Sequence, residues 1–422
     1  MSISQVEKQI RQNLRYNVTV NLMDGAYFGL ATGFGSLGTI VTLFVSKLTR
    51  SAILIGLVPA IHAVSWQLPQ LFTAGWVSRQ RRLKPMVLWL TINERVPFVG
   101  LALIAWFLPG IGSTTALVLT FLMLLWQGLG AGFTANGWQT FIAKIIPPDS
   151  RGSFFGAQAA FANIYMSIGA VAAGYLLDRV GANKNFSLCF LLTAFFMIFS
   201  WIALSLTREP ADLEKIIPSQ KHSFLKESLA ILRRDRNFDW FLTARILAQF
   251  ATMGFSFYIV YALRQFNMDL ITAGYLTAAL TISQTFANLA MGWLGDRFGH
   301  RLMLVIGALC ISFSALLAWK APSLGWFYLI FILEGLANVA IWTIGMAITV
   351  EFGTEAERPI YIGLSNTLAA PITILAPIFG GWLADTAGFG TTFITSAVGG
   401  LVTTLVLILL VRNPRPRQVG TI

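Results

Sequence analysis

The chain has 422 residues, 56% of them hydrophobic and 11% charged, with a mean hydropathy of +0.69 and a formal net charge of +12. Soluble chains carry about 25% charged residues, so a water-soluble fold of this length would leave too much apolar surface exposed, and lipid is the expected solvent. Whether the positive charge faces nucleic acid or a membrane is decided by its distribution.

Residues 1–16 are polar and charged and lack the apolar core and small-residue cleavage site of a signal peptide. Crossing a hydrocarbon core of roughly 30 Å takes about 20 apolar residues per helix. Twelve stretches meet that length: 17–45, 51–78, 84–108, 113–143, 152–178, 184–206, 238–263, 269–296, 300–319, 323–351, 358–384 and 390–411, numbered spans 1 to 12. The first is expected to serve as an uncleaved anchor. Alternate loops counted from the N-terminus hold 22 of the 30 Lys and Arg residues, the opposite loops hold six, and Arg95 and Arg245 fall inside spans. The positive-inside rule then places both termini in the cytoplasm, in a plasma or inner membrane. The charge is read as a topology signal, and nucleic acid is not an expected partner.

Enzyme chemistry finds no support along the chain. Cys189 and Cys310 sit alone in apolar segments, which supports neither a disulfide framework nor a metal site. His62, His222 and His300 lack metal-ligand spacing. No Gly-rich phosphate loop ends in Lys-Ser/Thr. No catalytic residues, metal or cofactor are therefore expected.

An internal repeat organises the twelve spans. A shift of 207 residues lays "WQGLGAG" from Trp126 over "LEGLANV" from Leu333, and "GYLLDRVG" from Gly174 over "GWLADTAG" from Gly381. The same ungapped shift places Arg151 on Arg358 and Gly156 on Gly363. The predicted organisation is a six-helix half at 1–206, a cytoplasmic linker at 207–237 and a second six-helix half at 238–422. Within the linker, "SFLKESLAILRRDRNF" reads as an amphipathic helix, solvated or lying on the membrane surface.

Between spans 8 and 9 the chain reads "MGWLGDRFGHRLML" from Met291, and a damaged copy, "AGWVSRQRRLKPMVL" from Ala74, lies about 217 residues earlier. Glycines allow sharp turns and close backbone approach, and an acid complements the roughly half positive charge at a helix N-terminus. Gly292, Leu294, Gly295, Asp296, Arg297, Gly299, His300 and Arg301 resemble the loop signature of the major facilitator superfamily of secondary transporters, and the six-plus-six plan is similar to that family over nearly the whole chain. The resemblance implies an all-α membrane protein of twelve transmembrane helices in two pseudo-symmetric halves, with spans 1, 4, 7 and 10 around a central cavity. It also implies that Asp296 meets the N-terminus of span 5 near Arg151 and Gly152 and latches the cytoplasmic side. Gly292, Asp296, Arg297, Gly299 and Arg301 are the expected gate residues. In the first-half copy Gly75 survives, but Ser78-Arg79 replaces small-Asp and Arg82 replaces the second glycine. That loop is expected to keep its topological role and lose the latch.

An ionisable residue near a span centre costs about 2.5–3.5 kcal/mol on insertion scales, so it usually has a partner or a task. Glu334, Asn338 and Trp342 recur every four residues on span 10, and the repeat counterpart of Glu334 is Gln127 on span 4, followed by Thr134 and Trp138. The resemblance turns these faces toward the cavity, where Glu334 binds substrate or a proton; the alternative is a structural acid hydrogen-bonded between helices. Asp24 and Arg245 stand at corresponding depths of spans 1 and 7, with Gln249, Thr252 and Ser256 continuing the Arg245 face. They either pair across the halves or find separate partners within each. Adjacent Glu94 and Arg95 point about 100° apart on a helix and are expected to pair structurally with span 2 or 4. Glycines 25, 29 and 33 form a close-packing stripe, and Trp76, Trp89, Trp293, Trp319 and Trp326 suit interfacial anchors. "APIFGG" from Ala376 resembles the bend motif that antiporters of the family carry on span 5, where this chain reads "GAVAAG".

The expected function is secondary transport of a small molecule by alternating access, as a monomer in lipid, with proton-coupled efflux of an amphipathic compound placed first. Uptake of a small polar metabolite by symport or uniport is the second reading. A receptor or assembly factor with a transporter fold, moving nothing, is the third.

Overall fold

A computed structural model describes residues 3–77, 80, 82–147, 150–181, 184–210, 224–349, 351–353 and 358–414. These residues contain helices and no strand. Twelve helices, several built from contiguous pieces, are long and apolar enough to cross a membrane: Lys8–Leu48, Ala52–Gln70, Leu83–Ile111, Ser113–Ile145, Phe154–Arg179, Asn185–Ser205, Arg236–Phe266, Leu270–Phe298, His300–Lys320, Trp326–Thr349, Ile360–Ala387 and Phe389–Leu409. They are the twelve predicted spans. Helix is what lipid demands, because every backbone N–H and C=O must be satisfied within the segment. Buried hydroxyls join that ladder by bonding back one turn, as Thr120 does to the carbonyl of Ala116 at 2.7 Å and Thr134 to Gly130 at 2.9 Å.

Three spans carry a π- or 3-10-helical turn, and span 3 breaks at Thr91, between Leu90 and Ile92. A π-helical turn covers Leu37–Val41 in span 1 and another Ala340–Ile344 in span 10, while Thr252–Gly254 of span 7 is a 3-10 turn. Each irregular turn rotates the residues after it relative to those before it, so faces drawn at a spacing of four do not continue through.

The chain forms two compact units. Unit 1 comprises Met1–Arg50, Leu57–Ser219 and Asn267–Thr281, and unit 2 comprises Ser51–Gly56, Gln220–Phe266 and Ile282–Ile422. The first residues of span 2 thus belong with unit 2, and the first residues of span 8 with unit 1.

In unit 1 the glycine stripe of span 1 lies directly on span 5. A Cβ at Gly29 would stand 2.0 Å from the carbonyl oxygen of Ala162, and one at Gly33 2.4 Å from that of Met166. No side chain can yield there, because the obstacle is backbone. Small residues allow this approach, and with lipid tails as apolar as leucine, dispersion and close packing hold such helices together. The start of span 3 is capped by Glu209, which accepts from the backbone N–H groups of Leu83 (2.9 Å) and Lys84 (3.1 Å) and from Lys144 Nζ (2.9 Å).

One device appears once in each unit. The Asn17 amide donates to the carbonyl of Arg208 (3.0 Å) and accepts from the Arg208 N–H (2.9 Å). Asn237 treats Arg412 identically, at 3.0 and 2.7 Å. An asparagine near the start of the first span, 1 or 7, therefore pairs with backbone just beyond the last, 6 or 12.

Unit 2 adds an aromatic cluster of Phe238, Phe241, Phe352 and Tyr361, in which the Phe238 and Tyr361 centroids are 4.5 Å apart. The Tyr361 hydroxyl donates to Asp235 (3.0 Å), whose other oxygen accepts from the Phe238 N–H (3.0 Å). The amphipathic linker helix is present at Phe224–Arg234, with Ile231 buried and Leu229 exposed. At the start of span 2, Asp385 accepts from the N–H groups of Ala52 (2.8 Å) and Ile53 (3.3 Å) and from the Ser51 hydroxyl (3.1 Å).

Candidate functional site

The loop after span 8 is built by its glycines and its histidine. Gly299 has φ +96°, the left-handed turn that only glycine adopts without strain, and a Cβ at Gly295 would stand 2.6 Å from the His300 ring. Among the described residues nothing lies within 4 Å of a Cβ built at Gly292, so the close approach expected there is not found among them. Arg301 ties the loop to the end of span 12, donating through Nε to the Leu407 carbonyl at 2.7 Å and through Nη2 to that of Ile408. Arg297 stacks its guanidinium over Trp293 at 5.6 Å. His300 is buried, its Nδ1 2.7 Å from Glu351 Oε1 and its Nε2 3.9 Å from Asp296 Oδ1. Asp296 itself is 71% exposed. The side chains of Arg151 and Gly152, its expected partners, and the altered Ser78-Arg79 pair of the first-half copy lie outside the described residues.

Unit 1 gathers four polar side chains in the membrane. Asp24 (6% exposed) accepts from the Ser200 hydroxyl at 2.6 Å. Ser200 in turn accepts from Arg95 Nη2 at 3.0 Å, while Arg95 Nε and Nη1 donate to the carbonyls of Met197 (3.1 Å) and Thr91 (3.0 Å). Glu94 stands 3.8 Å from Arg95. Arg95 therefore reaches span 6, and through Ser200 the Asp24 of span 1, rather than span 2 or 4 as expected. Proximity along the chain misled that reading; the guanidinium is long enough to pass its immediate neighbours.

The span 4 and span 10 candidates divide. Gln127 is buried, its Oε1 2.6 Å from His62 Nδ1 on span 2. Trp138 packs edge-on to Phe155, with centroids 6.1 Å apart. Glu334, 4% exposed, accepts from the Ser314 hydroxyl of span 9 at 2.5 Å, and the Tyr258 hydroxyl of span 7 lies 3.4 Å from the same oxygen of Ser314. This hydrogen bond joins spans 9 and 10. Asn338, on the same α-helical face, is exposed. Trp342 sits inside the π-helical turn, so the face drawn through Glu334, Asn338 and Trp342 ends at Val339.

Arg245 and Asp24 each find partners in their own unit. Arg245 Nη1 donates to the hydroxyls of Ser365 (2.7 Å) and Thr349 (3.4 Å) on spans 11 and 10. Gln249 follows one α-turn later, but the 3-10 turn that begins at Thr252 prevents the face from continuing to Ser256 as expected. The partners that sequence reasoning missed, Ser200, Ser314, Ser365, Tyr258 and His62, lie in apolar spans, each flanked by apolar residues except Ser365, which Asn366 and Thr367 follow. Their only signal was a hydroxyl or imidazole at a membrane depth where leucine would serve packing better.

The profile described as Major Facilitator Superfamily matches residues 23–264 and 244–421. An MFS-type transporter of Methanocaldococcus jannaschii is 23% identical over 299 residues, covering 68% of this chain and 73% of that protein. The multi-drug resistance efflux pump PmrA of Streptococcus pneumoniae is 24% identical over 326 residues, 74% of each chain. Among solved structures, a point mutant of the nucleoside transporter NupG superposes with a TM-score of 0.71 at 14% identity, covering 93% of this chain and 99% of that one, a likeness of fold alone. Twelve apolar spans, the loop built on Gly299 and this match along almost the full length agree: the chain belongs to the major facilitator superfamily.

Proposed function

We propose that the protein is a secondary active transporter that exports an amphipathic small molecule across the plasma or inner membrane by alternating access, driven by protons. The observation that carries this reading is Glu334, a carboxyl in the middle of span 10 that is 4% exposed and held by a serine hydroxyl, with no cation within salt-bridge distance among the described residues. A membrane acid without a counter-ion is most economically explained as one that carries a proton for part of a cycle. Asp24, held the same way by Ser200, is the second candidate. Export is favoured over uptake by the sequence similarity to a multidrug efflux pump. The latch role of Asp296 and the cytoplasmic location of both termini belong to the same proposal.

Proteoliposomes under an imposed pH gradient test it, with a panel of amphipathic fluorescent compounds. Gradient-dependent movement of at least one compound is expected, with Glu334→Gln retaining binding but losing the dependence on the gradient. Movement that is equal with and without the gradient in the parent protein would refute proton coupling.

A further inference from the structure

Arg245 is the one described membrane arginine whose polar partners are all neutral hydroxyls. A guanidinium offers five N–H donors in a fixed plane. Two belong to Nη1, which is occupied by Ser365 and Thr349. The Nε–H and both Nη2–H groups have no acceptor among the described residues, and no carboxylate lies within salt-bridge distance. The side chain is half-buried, and none of these nitrogens is among the described buried atoms that lack a partner, so they face accessible space.

The surroundings leave room beside the charge. Span 10 approaches through Gly345, immediately after its π-helical turn, and a Cβ built there would come only to 4.0 Å from Arg245 Cζ. Arg245 also lines a small cavity whose other walls include Phe241, Ala248, Leu304, Ile341 and Leu407. Apolar surface therefore flanks a cation that is anchored at one nitrogen and open along its other edge.

We infer that Arg245 is the anion-recognition point of the transport site, and that the cargo is an amphipathic organic anion carrying a carboxylate or a singly charged phosphate. The Nε/Nη2 edge matches such a group in the two-point fork geometry that lysine does not reproduce. Ser365 and Thr349 hold the guanidinium in position, and the anion supplies the charge that the described protein does not. This inference rests on the transporter reading above and narrows its substrate class.

The test uses the full chain in a neutral maltoside detergent, with decanoate, decanol and decyltrimethylammonium as probes and thermal stabilisation as the readout. Decanoate is expected to bind the parent protein at least tenfold more tightly than decanol or the cation. Arg245→Gln should remove that preference, Arg245→Lys should keep only part of it, and Ser365→Ala should weaken decanoate binding without touching decanol. Equal affinity for decanoate and decanol, or a preference that survives in Arg245→Gln, overturns the inference. In nanodiscs, stabilisation by phosphatidylglycerol with none by free decanoate also overturns it, since it would assign the arginine to lipid. Proteoliposome flux separates the two proposals: selective decanoate binding without movement defeats the transporter reading alone, whereas flux confined to neutral or cationic compounds defeats the anion site alone.

Discussion

Replacing Arg95 by Met is the sharpest available perturbation of the membrane interior of unit 1. Arg95 is 8% exposed, and its guanidinium makes three hydrogen bonds, to the carbonyls of Met197 and Thr91 and to the Ser200 hydroxyl, and stands 3.8 Å from Glu94. Met fills a similar volume, so packing is nearly conserved and the change is electrostatic. What remains is Asp24 at 6% and Glu94 at 9% exposure, two buried carboxyls with no cation between them. Breaking a buried ion pair from one side costs about 3–5 kcal/mol. In a unit of this size each kcal/mol moves the melting temperature by about 2–4 °C, so a drop on the order of 10 °C is expected. The assay is thermal unfolding of the detergent-solubilised protein, followed by intrinsic fluorescence. The double variant Arg95→Met/Asp24→Asn should recover at least half of the loss, because it removes one of the stranded charges. A drop of less than about 2 °C in Arg95→Met, below the effect of a single kcal/mol, or a double variant whose losses simply add, would refute the claim that this arginine compensates the acids of spans 1 and 3.

Gly29→Ala should sharply reduce folded yield, because its methyl would stand 2.0 Å from a backbone oxygen of span 5; Gly181→Ala, with nothing within 4 Å among the described residues, is the control expected to behave as the parent in size-exclusion profiles. Asp385→Ala removes three hydrogen bonds from the start of span 2 and should cost about 1–2 kcal/mol, within the range of helix N-cap losses, with Asp385→Asn intermediate; equal melting temperatures for all three proteins would remove the cap from consideration.

The number and order of spans were legible because lipid imposes one simple rule, about 20 apolar residues for each crossing, and the glycine stripe of span 1 was legible because close helix contact admits only small residues. The loop after span 8 was legible where turn geometry demands glycine, at Gly299, and less so at Gly292, where nothing among the described residues packs. The buried charges were located correctly, but Arg95 was matched to the wrong neighbours. Arg95 bypasses adjacent helices for Met197 and Ser200, more than a hundred positions away, and no periodicity within one span encodes such a choice. Trp342 could not be placed on the Glu334 face from spacing, because a π-helical turn leaves no mark that a four-residue count detects. The paired clamps of Asn17 and Asn237 escaped notice for the same reason as the charges. Each is a contact between the two ends of a six-helix run, and only the fold brings those ends together.

Proton movement coupled to cargo is the most direct measure of the central claim. Protein reconstituted into vesicles loaded with a pH-sensitive dye, with no gradient imposed at the start, should change the lumenal pH when a bound cargo is added outside, and Glu334→Gln should abolish the change while leaving the cargo bound. A ligand that binds tightly yet moves neither itself nor protons under any gradient would show instead a transporter fold put to use as a receptor.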